Sequence, residues 1–203
     1  MFALVENNQF VKTVSSSKGI ELNGVQYPKT IFTLWTEAER NAIGLYEINV
    51  NSENKKDEAY YINTDITYSF NNGIVTGSYG TATAKPLNNV LFIEGDEIPE
   101  DKAVGDIKQY GLKEQKISVI KQQAAGLLAP TDWQVIKEVE TSDYVVPTSI
   151  TEYRAAVRTA SNDMEAKINA AADVDALKVL YEYTEQPDGT VTRPLGEFPK
   201  EIE

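Results

Sequence analysis

In LKEQKISVIKQQAAGLLAPTDWQVIKEVETSDYVVPTSITEYRAAVR (residues 112–158), apolar residues recur twice with the period of a helix. Ile117, Ile120, Ala124, Leu127 and Leu128 fall three or four positions apart, which places them on one face. The first helix is therefore expected from about Leu112 to Leu128. Gly126 and Pro130 mark its expected end, because proline lacks an N–H and abuts the preceding turn. The second helix is expected after Pro147, where Ser149-Ile150-Thr151-Glu152 reads as a capping box. Ile150, Tyr153, Val157, Ala160, Met164, Ile168 and Ala171 hold one face for about six turns. Two such helices, joined by a compact segment 129–148, predict a helical hairpin. Asp173 is placed to cap a short third helix carrying Val174, Leu177 and Leu180. The helical region then spans residues 112–180.

Toward the N-terminus the pattern changes to β. Phe2–Val5 and Phe10–Val14 are short apolar runs around Glu6-Asn7-Asn8-Gln9, a hairpin loop. Ile20–Tyr27 contains Asn23-Gly24 between Leu22 and Val25, a strong two-residue turn signal. Thr36-Glu37-Ala38-Glu39 is a capping box opening a short helix that Gly44 ends. Leu45–Val50 reads as a strand in which Leu45, Glu47 and Asn49 oppose Tyr46, Ile48 and Val50. After the polar loop 51–58, Tyr60–Phe70 and Ile74–Thr83 form a long hairpin across Asn71-Asn72-Gly73, with Tyr61 and Phe70 candidates to line one side. The fold class expected is α+β: a β-rich module at 1–92 with hairpins plus one short helix, an acidic linker at 93–111, and the helical hairpin. Residues 181–203 read as an extended tail with a turn at Gln186-Pro187-Asp188-Gly189-Thr190, exposed beyond Pro194.

Composition narrows the chemistry. With 19 basic and 31 acidic residues, the net charge is −12, which opposes sequence-independent binding to nucleic acid or an anionic membrane. Lys113, Lys116 and Lys121 are interleaved with Glu114 and glutamines, as on a solvated helix face. Cysteine and histidine are both absent, so thiolate catalysis, disulfides and histidine-based triads have no residues to use, and zinc lacks its usual ligands. Met1–Glu6 show no signal-peptide pattern, and no apolar run approaches the ~20 residues of a membrane span. A soluble protein made in the cytoplasm is expected.

No constellation points to catalysis, a cofactor or a metal. Glu94, Asp96, Glu97, Glu100 and Asp101 lack the spacing of a calcium loop and read as a solvated linker. Gly73, Gly77 and Gly80 lack the lysine and following helix of a phosphate cradle. A carboxylate pair suffices for a glycosidase, but no sugar groove is identifiable. Trp133 is expected to close the core of the helical hairpin, with Asp132 capping the local turn; its truncation would then cost about 3–5 kcal/mol. The competing reading makes its indole a hot spot for a partner. Arg154 and Arg158, one turn apart, are placed either to pair with acids such as Glu152 or Asp163 or to present a basic stripe.

The segment Leu127-Leu128-Ala129-Pro130-Thr131-Asp132-Trp133, followed by a helix carrying Tyr153-Arg154 and Val157-Arg158, resembles the C-terminal region of bacteriophage tail-fibre assembly and tail accessory proteins. The resemblance covers about residues 112–160. A weaker likeness lies in Gly24-Val25-Gln26-Tyr27-Pro28 and Trp35–Gly44, which are similar to N-terminal modules of the same class. The long hairpin and the acidic linker depart from the short assembly proteins and suit a protein that stays in the particle. The resemblance implies a non-enzymatic tail protein, present in multiple copies in the virion, that binds fibre, baseplate or adaptor subunits. The alternative it implies is a tail-fibre assembly chaperone released from mature particles. Trp133, Tyr153, Arg154 and Arg158 are the partner-binding candidates.

Overall fold

Two-residue turns set the strand registers of the first of two units, Met1–Thr83. The computed structural model describes residues 1–201; the last two positions of the 181–203 tail lie outside the described residues. β1 (Phe2–Glu6) and β2 (Gln9–Val14) meet at Asn7-Asn8. β3 (Ile20–Leu22) and β4 (Val25–Tyr27) meet at Asn23-Gly24. Two short helices, α1 (Ile31–Leu34) and α2 (Glu37–Ala42), lead into β5 (Leu45–Asn51). β6 (Tyr61–Ile62), β7 (Ile66–Asn71), β8 (Ile74–Tyr79) and β9 (Thr83–Ala84) complete the series, with Asn72-Gly73 between β7 and β8. All six turn residues have positive φ, the backbone of a type I′ turn.

β2-β1-β5-β8-β7 form a curled five-stranded sheet in which only β5 and β8 run parallel. Phe2, Leu4 and Leu45 face a core with Val14, Leu22, Ile31 and Phe32. Ala3, Val5, Ile48 and Val75 face the opposite side, closed by Phe10, Tyr46, Tyr68 and Phe70. Phe10 of β2 stacks on Tyr68 of β7, with ring centroids 4.8 Å apart, so the two edge strands meet across the curl. The alternation expected in β5 is present. The long hairpin is interrupted: the Thr64 hydroxyl accepts the Gly80 N–H at 2.7 Å between its two paired stretches. The first unit has two short helices where one was expected; Ile31–Leu34 is a single turn, too short to show a helical period.

The second unit begins at Ala84. β10 (Val90–Leu91) pairs with β11 (Ile107–Gln109), and Lys108 donates to Asp96 at 2.7 Å. That hydrogen bond and the Ile93 N–H hold the Asp96 carboxyl below its ordinary value. Residues 93–111 are thus a folded arm rather than a linker, and the boundary lies at 83/84 rather than 92/93. The chain just before β10 meets the start of the next helix: the Leu112 and Lys113 N–H groups donate to the carbonyls of Pro86 and Leu87.

α3 (Leu112–Glu140) and α4 (Thr148–Ala170) form the helical hairpin, followed by α5 (Val174–Val179), which Asp173 caps at 2.7 Å. Ile117, Ile120 and Ala124 are buried, as are Tyr153, Val157, Met164 and Ile168. Three expectations need correction. α3 runs through Pro130 to Glu140 instead of ending near Leu128. α4 begins with Pro147 as N-cap and no side-chain cap, so the Ser149–Glu152 box does not form; helix has already started there. The tail packs back in part beyond Pro194: after the hairpin of β12 (Thr184–Glu185) and β13 (Val191–Thr192), Leu195 is 1 % exposed and Phe198 packs beside Ala124, Tyr153 and Val157, while Glu197, Lys200 and Glu201 are exposed. Lys167 Nζ fixes the turn by donating to the carbonyls of Pro194 (2.8 Å) and Leu195 (3.1 Å).

Two measurements check the first unit. Gly44 has φ +80°, and a Cβ there would lie 2.7 Å from the Val5 carbonyl oxygen; Gly73 has the same φ with open space. Gly44→Ala should cost about 2–3 kcal/mol in denaturant unfolding, and Gly73→Ala only about 1 kcal/mol. The Glu39 carboxylate accepts the Thr36 N–H at 2.7 Å and the Thr36 hydroxyl at 2.8 Å, which holds its pKa below the ordinary 4.5. A depressed carboxyl stabilises the folded chain above 4.5 and loses that contribution as pH falls through its folded value. Glu39→Gln should therefore be less stable than wild type at neutral pH, with the gap closing in acid.

Candidate partner interface

A guanidinium buried among helices must find acceptors, because its desolvation is otherwise uncompensated. Arg154, on the inner face of α4, is 7 % exposed. Its Nη1 donates to the Leu128 carbonyl at 2.9 Å and to the Thr131 hydroxyl at 2.6 Å. Its Nη2 donates to Asp132 Oδ1 at 2.7 Å. Thr131 Oγ1 also donates to the Leu128 carbonyl, at 2.9 Å. These contacts bracket Pro130. Proline cannot donate to the carbonyl four residues back, that of Gly126, and Gly126 is exposed, so that carbonyl is not buried without a donor. α3 therefore continues where a local reading of proline ends it.

The half of α3 beyond Pro130 is pinned along one side by the returning chain. The Tyr144 hydroxyl lies 3.0 Å from Gln134 Oε1, and the Val146 N–H donates to Glu138 Oε1 at 2.9 Å. Lys137 Nζ sits 4.5 Å from the centre of the Tyr144 ring, and the Tyr144 and Trp133 rings are 6.2 Å apart. Away from the core, Trp133 (56 % exposed), Ile136 (56 %) and Val139 (84 %) rise along one face at a spacing of three. Solvated helix faces are ordinarily polar, so this stripe stands out.

The candidates divide. Tyr153 and Arg154 are buried and hold the hairpin together, so neither is open to a partner. Arg154 pairs with Asp132, not with Glu152 or Asp163. Arg158 is exposed, and its Nη1 lies 3.5 Å from the Arg154 carbonyl, at the limit of a hydrogen bond. Trp133 is exposed, which overturns its expected place in the core: the helix that carries it continues past the packed part of the hairpin. Ile136 and Val139 lie in the segment 129–148 expected to be a compact connection; their spacing continues the helical period after Pro130.

Beside the Arg154 node, Leu127, Pro130, Thr131, Gln134, Ile150 and Tyr153 line an open groove of about 300 Å³. Among the described residues, Glu201 is the one carboxylate that lines it. Among the described residues, no three carboxylates converge as metal ligands do, and no helix is long and apolar enough to cross a membrane. No family model, no curated protein and no solved structure matches this chain.

The node is testable. Arg154→Lys keeps the charge but cannot reach the carbonyl, hydroxyl and carboxylate together, and should cost about 2 kcal/mol in unfolding. The Asp132 side chain is half exposed, so Asp132→Asn should cost less than about 1 kcal/mol. Equal losses would assign the stabilisation to the ion pair instead of the carbonyl contact.

Proposed function

We propose that this chain is a non-enzymatic bacteriophage tail protein, made in the host cytoplasm, that binds fibre, baseplate or adaptor subunits and stays in the virion in multiple copies. The observation that carries the reading is the uncovered stripe Trp133–Ile136–Val139 on a helix held in one position by the Arg154 contacts. A rigid aromatic and two aliphatic side chains, ordered before binding, suit a lasting protein–protein contact. The residues behind the resemblance fit this division of labour. Thr131, Asp132 and Arg154 form the scaffold, and Trp133 is displayed from it. The net charge of −12 supports protein partners over nucleic acid.

Quantitative mass spectrometry of purified particles of the encoding phage, beside an infected-cell lysate, tests the reading. Recovery at a fixed multiple of the portal copy number is expected. Presence in lysate but absence from particles would identify a released chaperone, and lack of any phage context would sink both. Trp133→Ala should change unfolding free energy by less than about 1 kcal/mol, as for a surface side chain. It should nevertheless lower incorporation into particles.

A further inference from the structure

We propose that the Trp133–Ile136–Val139 face receives a basic amphipathic helix of another protein, with lysines or arginines bordering its apolar ridge. This rests on the tail-protein reading in one respect only, that the face docks another subunit. The charges around the face select the partner. Glu140 continues the stripe, four residues beyond Ile136 and seven beyond Trp133, and Asp143 follows just past the helix end. Both are exposed, and neither forms an ion pair among the described residues. The other charges of this segment are committed. Arg154 holds Asp132, the Val146 N–H holds Glu138, and Lys137, the segment's one cation, sits over the Tyr144 ring. With Lys137 set against Glu138, Glu140 and Asp143 leave the border of the apolar stripe net negative.

A second copy of this chain is a poor occupant. It would bring the same two carboxylates and a further net charge of −12 against them. A helix with a cationic border instead places opposite charges beside Glu140 and Asp143. It also offers an ammonium or guanidinium to the exposed Trp133 ring. Ridge-into-groove packing along one side of α3 needs apolar residues recurring every three or four positions on the partner, which is the pattern of an amphipathic helix.

The test uses the full chain and two synthetic helical peptides, identical except that one carries lysines and the other glutamates beside a leucine face. Isothermal titration at low salt should show the lysine peptide binding at least about tenfold tighter, with the difference shrinking as salt screens it. Ile136→Ser with Val139→Ser leaves every charge in place and should weaken that binding about tenfold or more. Glu140→Gln with Asp143→Asn should weaken it severalfold and flatten its salt dependence. No binding of the lysine peptide, equal binding of both peptides, or binding that survives the serine substitutions would overturn the proposal. So would a dimer in sedimentation that the serine substitutions abolish, since the occupant would then be a second copy. These outcomes are separable from the particle assay: absence of the chain from particles would remove the virion reading while leaving a charge-selective apolar face intact.

Discussion

The structure of the helical unit depends on where one guanidinium is satisfied. Arg154 is carried inward by the same face as Tyr153 and Val157, so its charge is drawn into a low-dielectric interior. It is tolerable there only if carbonyl, hydroxyl and carboxylate oxygens meet it at fixed positions. Leu128, Thr131 and Asp132 supply them from a single turn of α3. That turn contains the proline that would otherwise end or kink the helix. One set of contacts therefore fixes the pairing of the two helices, carries α3 onward, and decides which side chains of its second half face water.

The first unit rests on a different constraint. β1 is buried on both sides for four consecutive residues, so it cannot belong to a sheet with one wet face. Helix α1 and the β3–β4 hairpin cover one side, and the sheet's own curl covers the other. Paired aromatic rings fill the closure: Phe10 with Tyr68, and Tyr46 with Phe70 at 4.7 Å.

How much of this was readable from sequence follows the range of the interaction concerned. The turns at Asn23-Gly24 and Asn72-Gly73, the Thr36–Glu39 capping box and the Asp173 cap are set within four residues, and each is where local chemistry places it. The inward faces of the two long helices were likewise legible from their period. What was not legible is long-range. Nothing near Pro130 announces that an arginine more than twenty positions later will serve its neighbours. Nothing near Pro194 announces that Lys167 will hold the turn that buries Leu195. The outer stripe shares the first difficulty: Trp133 was visible as a residue, but its exposure depends on α3 continuing.

The parallel pairing of β5 with β8 has a kinetic consequence. The β1–β2, β3–β4 and β7–β8 hairpins close over two residues each, and such loops form on the order of microseconds. Ile48 finds Val75 only after the whole excursion through β6 and β7 has been laid down. During synthesis, β5 therefore leaves the ribosome with one edge unpaired, and that edge stays open to wrong neighbours until the β7–β8 hairpin arrives ready-made to cover it.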